Sequence, residues 1–184
     1  MEYTASILGV TIVGADAFLS GCARPEKPAN LIMEKQIRLL DEIGETILPT
    51  SERSPGARAA GIGRFMNRMI TECYSKEEYR IFVSGIDEVE QASKGAHRRG
   101  FLKLNIQERH ELLAEFDRQA RLQGDRQPLH FFSLMKQLTL LGYFTSEIGV
   151  TQAMRYNPVP GGYNGCAGYR EGDKAWFGPL SSIG

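Results

Sequence analysis

The side chains that could do chemistry in this chain are few, and their spacing matches no catalytic or metal-binding pattern. His97, His110 and His130 fall on three different predicted elements. None has a cysteine or carboxylate at the three- or four-residue spacing that would set two metal ligands on one helix face. Glu108 and His110 are two apart and point to different sides of a helix. Glu111 and Glu115 share a face, where they read as solvated partners for Arg118 and nearby lysines. Gly61-Ile62-Gly63 and Gly161-Gly162 lack the flanking strand and helix of a dinucleotide or phosphate loop. An enzyme built on Cys73 or Glu147 would need a perturbed pKa and a base beside it in a cleft. The expectation is a chain without catalytic residues, metal ligands or a bound cofactor of its own.

The residues that stand out are instead polar groups set into an apolar segment: Lys136, Thr139, Tyr143, Thr145, Ser146 and Glu147. Burying an unpaired charge costs roughly several kcal/mol, so Lys136 and Glu147 each require a partner. Two readings stay open. Either Lys136 or Arg155 pairs with Glu147 inside the domain, or these charges meet a partner across an interface. Beyond them, Tyr156, Tyr163, Tyr169, Trp176 and Phe177 are spaced by Pro and Gly with no helical or strand period. Aromatic rings carry large apolar area at small entropic cost, and proline limits the freedom lost when an extended arm is laid on a surface. Lys136, Tyr143, Phe144, Glu147, Tyr156, Tyr163 and Trp176 are therefore the candidate partner-binding residues, on an arm of which part folds back over its own domain.

The elements that must position these residues read as helices. Met33, Ile37, Leu40, Gly44 and Ile47 recur at three or four residues until Pro49 stops the run. A Pro-, Ser- and Gly-rich loop leads to a second helix around Ile62 to Glu72, with Ile62, Phe65 and Met69 on one face. Ser75-Lys76-Glu77-Glu78 has the form of a capping box and opens a third helix carrying Tyr79, Phe82, Val83, Ile86 and Val89 inward, with ASKGAHRRG as the loop that ends it. Asn105-Ile106-Gln107-Glu108 repeats the device for a fourth helix, closed by Gly124. Pro128 suits the first turn of a fifth, LHFFSLMKQLTLLGYF, which is apolar on most faces and belongs at the centre of a bundle or in an interface. No stretch alternates at period two. The fold class is all-α: a bundle of about five helices with a long irregular arm from residue 157.

At 184 residues the chain is long enough to bury a core without staples. Its 22 Lys plus Arg equal its 22 Asp plus Glu, so no global field draws it to nucleic acid or to an anionic membrane. Ser6 to Phe18 is mostly apolar but too short to span a bilayer, and Leu19-Ser20-Gly21-Cys22 follows it. That order is the pattern of an export signal ending in a lipoprotein cleavage box, with Cys22 as the acylated residue, residues 1–22 as the signal, 23–30 as a polar tether and 31–184 as the mature domain. Met1-Glu2-Tyr3-Thr4 carries none of the positive charge such a segment opens with, and Asp16 interrupts the apolar run. Basic residues are expected upstream, and both general and twin-arginine export stay open. Lipid on Cys22 would tether the domain to a membrane.

With Cys22 acylated, Cys73 and Cys166 remain in an oxidising compartment. Cys73 reads as a small buried residue at a helix end. Cys166, in a glycine-rich segment, is the better disulfide candidate, its partner being Cys73 or a cysteine of another chain.

Two blocks, ILPTSERSPGARAAGIGRFMNRMITECY and FFSLMKQLTLLGYFTSEIGVTQAMRYNPVPGGYNGC, closely resemble the gluconate 2-dehydrogenase subunit 3 family, the small subunits of bacterial membrane-associated flavin dehydrogenases. The resemblance runs from about Leu39 to Trp176. It implies a non-catalytic helical subunit of a periplasm-facing complex that oxidises sugars or sugar acids. In such a complex the large subunit carries FAD, the small one stabilises it and assists its export, and electrons pass to a cytochrome c subunit or the quinone pool. It also implies that Cys166, matching the family's G-x-Y-x-G-C, bonds a cysteine of the large subunit. The alternative from a different class is a stand-alone α-helical lipoprotein that encloses a small apolar ligand.

Overall fold

The computed structural model describes residues 32–124, 126, 128–159, 166, 168 and 170–177. The signal, Cys22 and the tether lie outside them. Helix α1, Glu34–Ile47, opens at Met33, whose amide donates to the Gln36 side chain at 3.0 Å, with Glu34 at the positive end of the helix dipole. Ile37, Leu40 and Ile43 line its buried face. Met33 was expected to share that face but is 66% exposed, because it is the capping residue with extended backbone and precedes the first helical turn.

A 3₁₀ turn, Ala57–Ala60, leads into α2, Ile62–Glu72. The most deeply buried stripe is Ile62, Met66 and Ile70. The expected stripe of Ile62, Phe65 and Met69 is rotated by about one position, leaving Phe65 and Met69 half-buried on its flank. Helix α3, Lys76–His97, begins at the box read from the sequence: Ser75 accepts from the Glu78 amide at 3.2 Å and Glu78 takes the Ser75 amide at 2.9 Å. It continues through ASKGAH, expected as loop, and ends where Arg98 adopts a left-handed φ of 55°. Gly95 costs that extension about 1 kcal/mol. Ser93, fully buried, donates to the Arg99 carbonyl at 2.7 Å and ties down the turn that follows.

After the 3₁₀ turn Phe101–Lys103, helix α4, Ile106–Gln123, is capped by Asn105 and Glu108 in the same reciprocal way and stops at Gly124, φ 61°. Helix α5, Phe131–Thr145, starts three residues later than Pro128 suggested. Its cap is His130, whose imidazole accepts from the Phe132 amide at 3.2 Å. A π-helical turn, Gly149–Ala153, follows. The arm is not wholly irregular: β1, Arg155–Tyr156, pairs in parallel with β2, Trp176–Phe177, in the register Arg155 to Trp176.

Helix α5 touches all four other helices, and its inward residues Phe132, Leu134, Met135 and Leu138 are fully buried. Two glycines let it seat so closely. A Cβ on Gly142 would lie 2.4 Å from the Phe65 ring of α2, and one on Gly85 of α3 would lie 2.4 Å from Phe131. At the rim, Glu42 of α1 binds both Arg58, at 2.7 Å, and Arg109 of α4. Arg109 also donates to the Leu102 carbonyl at 3.0 Å and lies over the Phe101 ring. Among the described residues no helix is long and apolar enough to cross a membrane.

Candidate docking face

Because α5 is apolar nearly all round, burying one side of it leaves the other side apolar in water. Leu140, Leu141 and Phe144 remain 39%, 47% and 37% exposed, at spacings that place them on one face of the helix beside Gln137. Phe144 packs edge-on against Tyr143, ring centroids 5.2 Å apart, and Tyr143 is itself 3% exposed, with its hydroxyl donating to the Pro55 carbonyl. Tyr143, expected to contact a partner, thus points inward. It supports the exposed row from beneath.

The polar residues of this segment divide between internal work and exposure. Thr139 is buried and returns its hydroxyl to the Met135 carbonyl at 2.8 Å, and Thr145 does the same to Leu141 at 2.7 Å. Ser146 ends the helix: it donates to the Tyr143 carbonyl at 2.7 Å and accepts from the Gly149 amide at 3.0 Å, which starts the π turn. Lys136 does not pair with Glu147. Its ammonium binds Asp117 of α4 at 2.6 Å, while Arg155 binds Asp173 at 2.8 Å. Glu147 is exposed, and no cation among the described residues lies within ion-pair distance of it. Asp117 was invisible as a partner in the sequence, because it lies 19 residues from Lys136 on a different element. The Lys136 hydrogen bond holds the Asp117 carboxyl below its ordinary value, with burial opposing and Arg121 adding to the effect.

Beyond the π turn the arm closes on itself. Arg155 reaches Asp173 and also lies 5.3 Å from the centroid of the Trp176 ring, while Tyr156 and Phe177 sit 6.4 Å apart. Arg53 donates to the Gly172 carbonyl at 3.2 Å and joins the arm to the loop that carries Pro55. Tyr156 and Trp176 remain 51% and 63% exposed. Tyr163 lies outside the described residues. Cys166 is exposed. Cys73, expected to be buried, is an exposed thiol at the C-cap of α2, where the chain turns away from the core, and no disulfide joins it to Cys166.

The other groups weighed for chemistry resolve into structural contacts. Arg118 clamps Glu115 through two contacts of 2.9 and 2.6 Å, which take that exposed carboxyl down to about 2. Glu111 accepts from Gln107. His97 lies 3.7 Å from Glu108, which Arg99 also binds. No three His, Cys, Asp or Glu among the described residues could hold a metal ion together. At Gly61-Ile62-Gly63 the first amides of α2 are positioned as an anion site would be, but the Asp41 carboxylate takes the Gly63 amide at 2.7 Å. A cofactor phosphate would have to displace the protein's own carboxylate there.

In comparison with known families, the family model described as gluconate 2-dehydrogenase subunit 3 matches residues 34–161. No curated protein and no solved structure matches.

Proposed function

From the premise that the chain belongs to the gluconate 2-dehydrogenase subunit 3 family, we propose that it docks, through the exposed face of α5 and the arm, on the flavin-containing large subunit of a membrane-associated sugar or sugar-acid dehydrogenase. The family carries with it an accessory role and partnership with other subunits of a gluconate dehydrogenase complex. The observation that supports the docking surface is the row Leu140, Leu141 and Phe144: three large apolar side chains in water on the central helix of the core, where a monomer gains nothing by placing them. In this reading FAD and the oxidation belong to the large subunit, and this chain stabilises that subunit and assists its export to the periplasm. A cytochrome c subunit then takes the electrons, Cys22 carries a lipid, and Cys166 bonds the large subunit.

The test is co-expression of this chain with the flavin subunit, followed by purification through a tag on the small chain. The expected outcome is a complex that carries flavin absorbance and oxidises gluconate or a related sugar acid, while the small chain alone does neither. Leu140→Asp and Phe144→Asp should release the flavin subunit while the isolated variants keep wild-type helicity. Retention of a flavin subunit by both variants would overturn the docking face. Sugar oxidation by the small chain alone would overturn the accessory role.

A further inference from the structure

Alongside the docking row lies an open trough of about 310 Å³ between α1, α4 and α5. Ile47, Leu113, Ala114 and Phe132 form its apolar bed, and one wall is an ionic cluster of Lys136, Asp117 and Arg121. Asp117 spends both oxygens inside the cluster, one on Lys136 at 2.6 Å and one on Arg121 at 2.5 Å. Two cations against one carboxylate leave one positive charge in excess, and Arg121 is 76% exposed with donors still directed to water. Lys136 stands one helical turn from Leu140, so the trough and the apolar row form one continuous surface along α5.

Size and shape decide what fits. Small-molecule sites span roughly 300–1,000 Å³ and enclose most of their ligand. This trough is at the lower end of that range and is open along its length, which suits a side chain carried on a neighbouring surface better than a free molecule. We propose that it receives an acidic side chain, with an apolar neighbour, from a segment of the flavin-containing large subunit, the incoming carboxylate completing the Lys136, Asp117 and Arg121 cluster. The inference rests on the accessory-subunit reading and adds to it the chemistry of the partner. Association then has an electrostatic component that the apolar row alone would not supply.

The experiment measures dissociation of the co-expressed complex at increasing sodium chloride for wild type, Arg121→Glu and Lys136→Gln. Melting of each isolated variant verifies its fold. The expected result is weakening of about tenfold for Arg121→Glu at low salt, a flatter salt dependence in both variants, and helicity unchanged. Wild-type affinity and salt dependence in Arg121→Glu, with Leu140→Asp still releasing the partner, would overturn the trough proposal and leave the accessory reading standing. A wild-type chain that never retains the flavin subunit would remove both. Binding of decanoate to the isolated chain, lost in Arg121→Glu and without effect on assembly, would replace the proposal with a small-molecule site.

Discussion

The Tyr143 hydroxyl donates a 2.5 Å hydrogen bond to the carbonyl of Pro55, joining residues 88 positions apart and fastening the loop between α1 and α2 to the last turns of α5. The tyrosine is 3% exposed, and Pro55 is partly buried. Tyr143→Phe keeps the packing but removes the donor to that carbonyl, which should cost about 1 kcal/mol. Tyr143→Ala also empties the space beneath Phe144, and about 3–5 kcal/mol is expected. Urea unfolding of the two variants checks both figures. Equal losses would mean that the hydroxyl, and not the ring, makes the attachment.

Asp41 of α1 caps α2 from across the interface by accepting the Gly63 amide at 2.7 Å. Burial nevertheless raises its pKa above the usual 3.8, outweighing the lowering effect of that amide. For an acid whose folded pKa exceeds its unfolded one, the folded state binds more protons in the window between them. Stability from this group is therefore greatest below 3.8 and falls as pH rises through the folded value. Asp41→Asn retains an acceptor without the charge, so at pH 7 it should be at least as stable as wild type. Asp41→Ala should lose about 1 kcal/mol, as a missing cap does. Thermal melts at pH 4 and pH 7 separate the two, since only wild type should show this local pH dependence.

How legible each element was in the sequence follows from how local its cause is. The starts of α3 and α4 were readable because Ser75 with Glu78, and Asn105 with Glu108, satisfy each other within three residues. The centrality of α5 was readable because its apolar residues cover more than one face. Contacts between elements left no such trace. The pairing of Lys136 with Asp117 depends on how α4 lies against α5, and nothing around Glu147 marked it as the wrong partner. The rotation of the α2 stripe toward Met66 follows from Phe65 packing over Gly142, a contact 77 positions long, 142 less 65. Strands of two residues are too short to alternate, so β1 and β2 were unreadable. The exposed row on α5 lies inside the stretch read as contact surface, but which of its residues face out required the packed helix.

His130 caps α5 with a ring nitrogen that must accept a hydrogen bond from the Phe132 amide, so the cap needs that nitrogen unprotonated, in neutral imidazole. Burial lowers its pKa below 6.5, against a smaller raising effect of Glu88. For a base with a depressed folded pKa, its stability contribution is present above 6.5 and is lost as pH falls through the folded value. Protonation would also put a positive charge at the positive end of the helix dipole. His130→Asn supplies a good cap that does not titrate, and should hold stability level between pH 7 and pH 5 where wild type declines. His130→Ala should lose about 1 kcal/mol at pH 7. Urea midpoints at the two pH values are the measurement, and a decline in His130→Asn equal to wild type would assign the pH effect elsewhere.

The clasp of the arm should be locally fragile and globally dispensable. Arg155 contributes one partly exposed ion pair to Asp173 and one cation–π contact to Trp176. Together these are worth about 1 kcal/mol, and β1 and β2 add two short rungs of backbone pairing: Arg155 to the Ala175 carbonyl at 2.8 Å and Asn157 to the Phe177 carbonyl at 3.2 Å. Arg155→Ala removes the side-chain contacts and should raise the open population of the arm about fivefold. Limited trypsin digestion should then cut after Arg170 and Lys174 faster by a similar factor, while the melting temperature of the helical core stays within about 2 °C of wild type. Because the exposed Tyr156 and Trp176 are the arm's candidate partner contacts, the same variant should weaken retention of the flavin subunit less than Phe144→Asp does. Unchanged digestion would mean that the backbone rungs and the Arg53 contact to Gly172 hold the arm without help from Arg155.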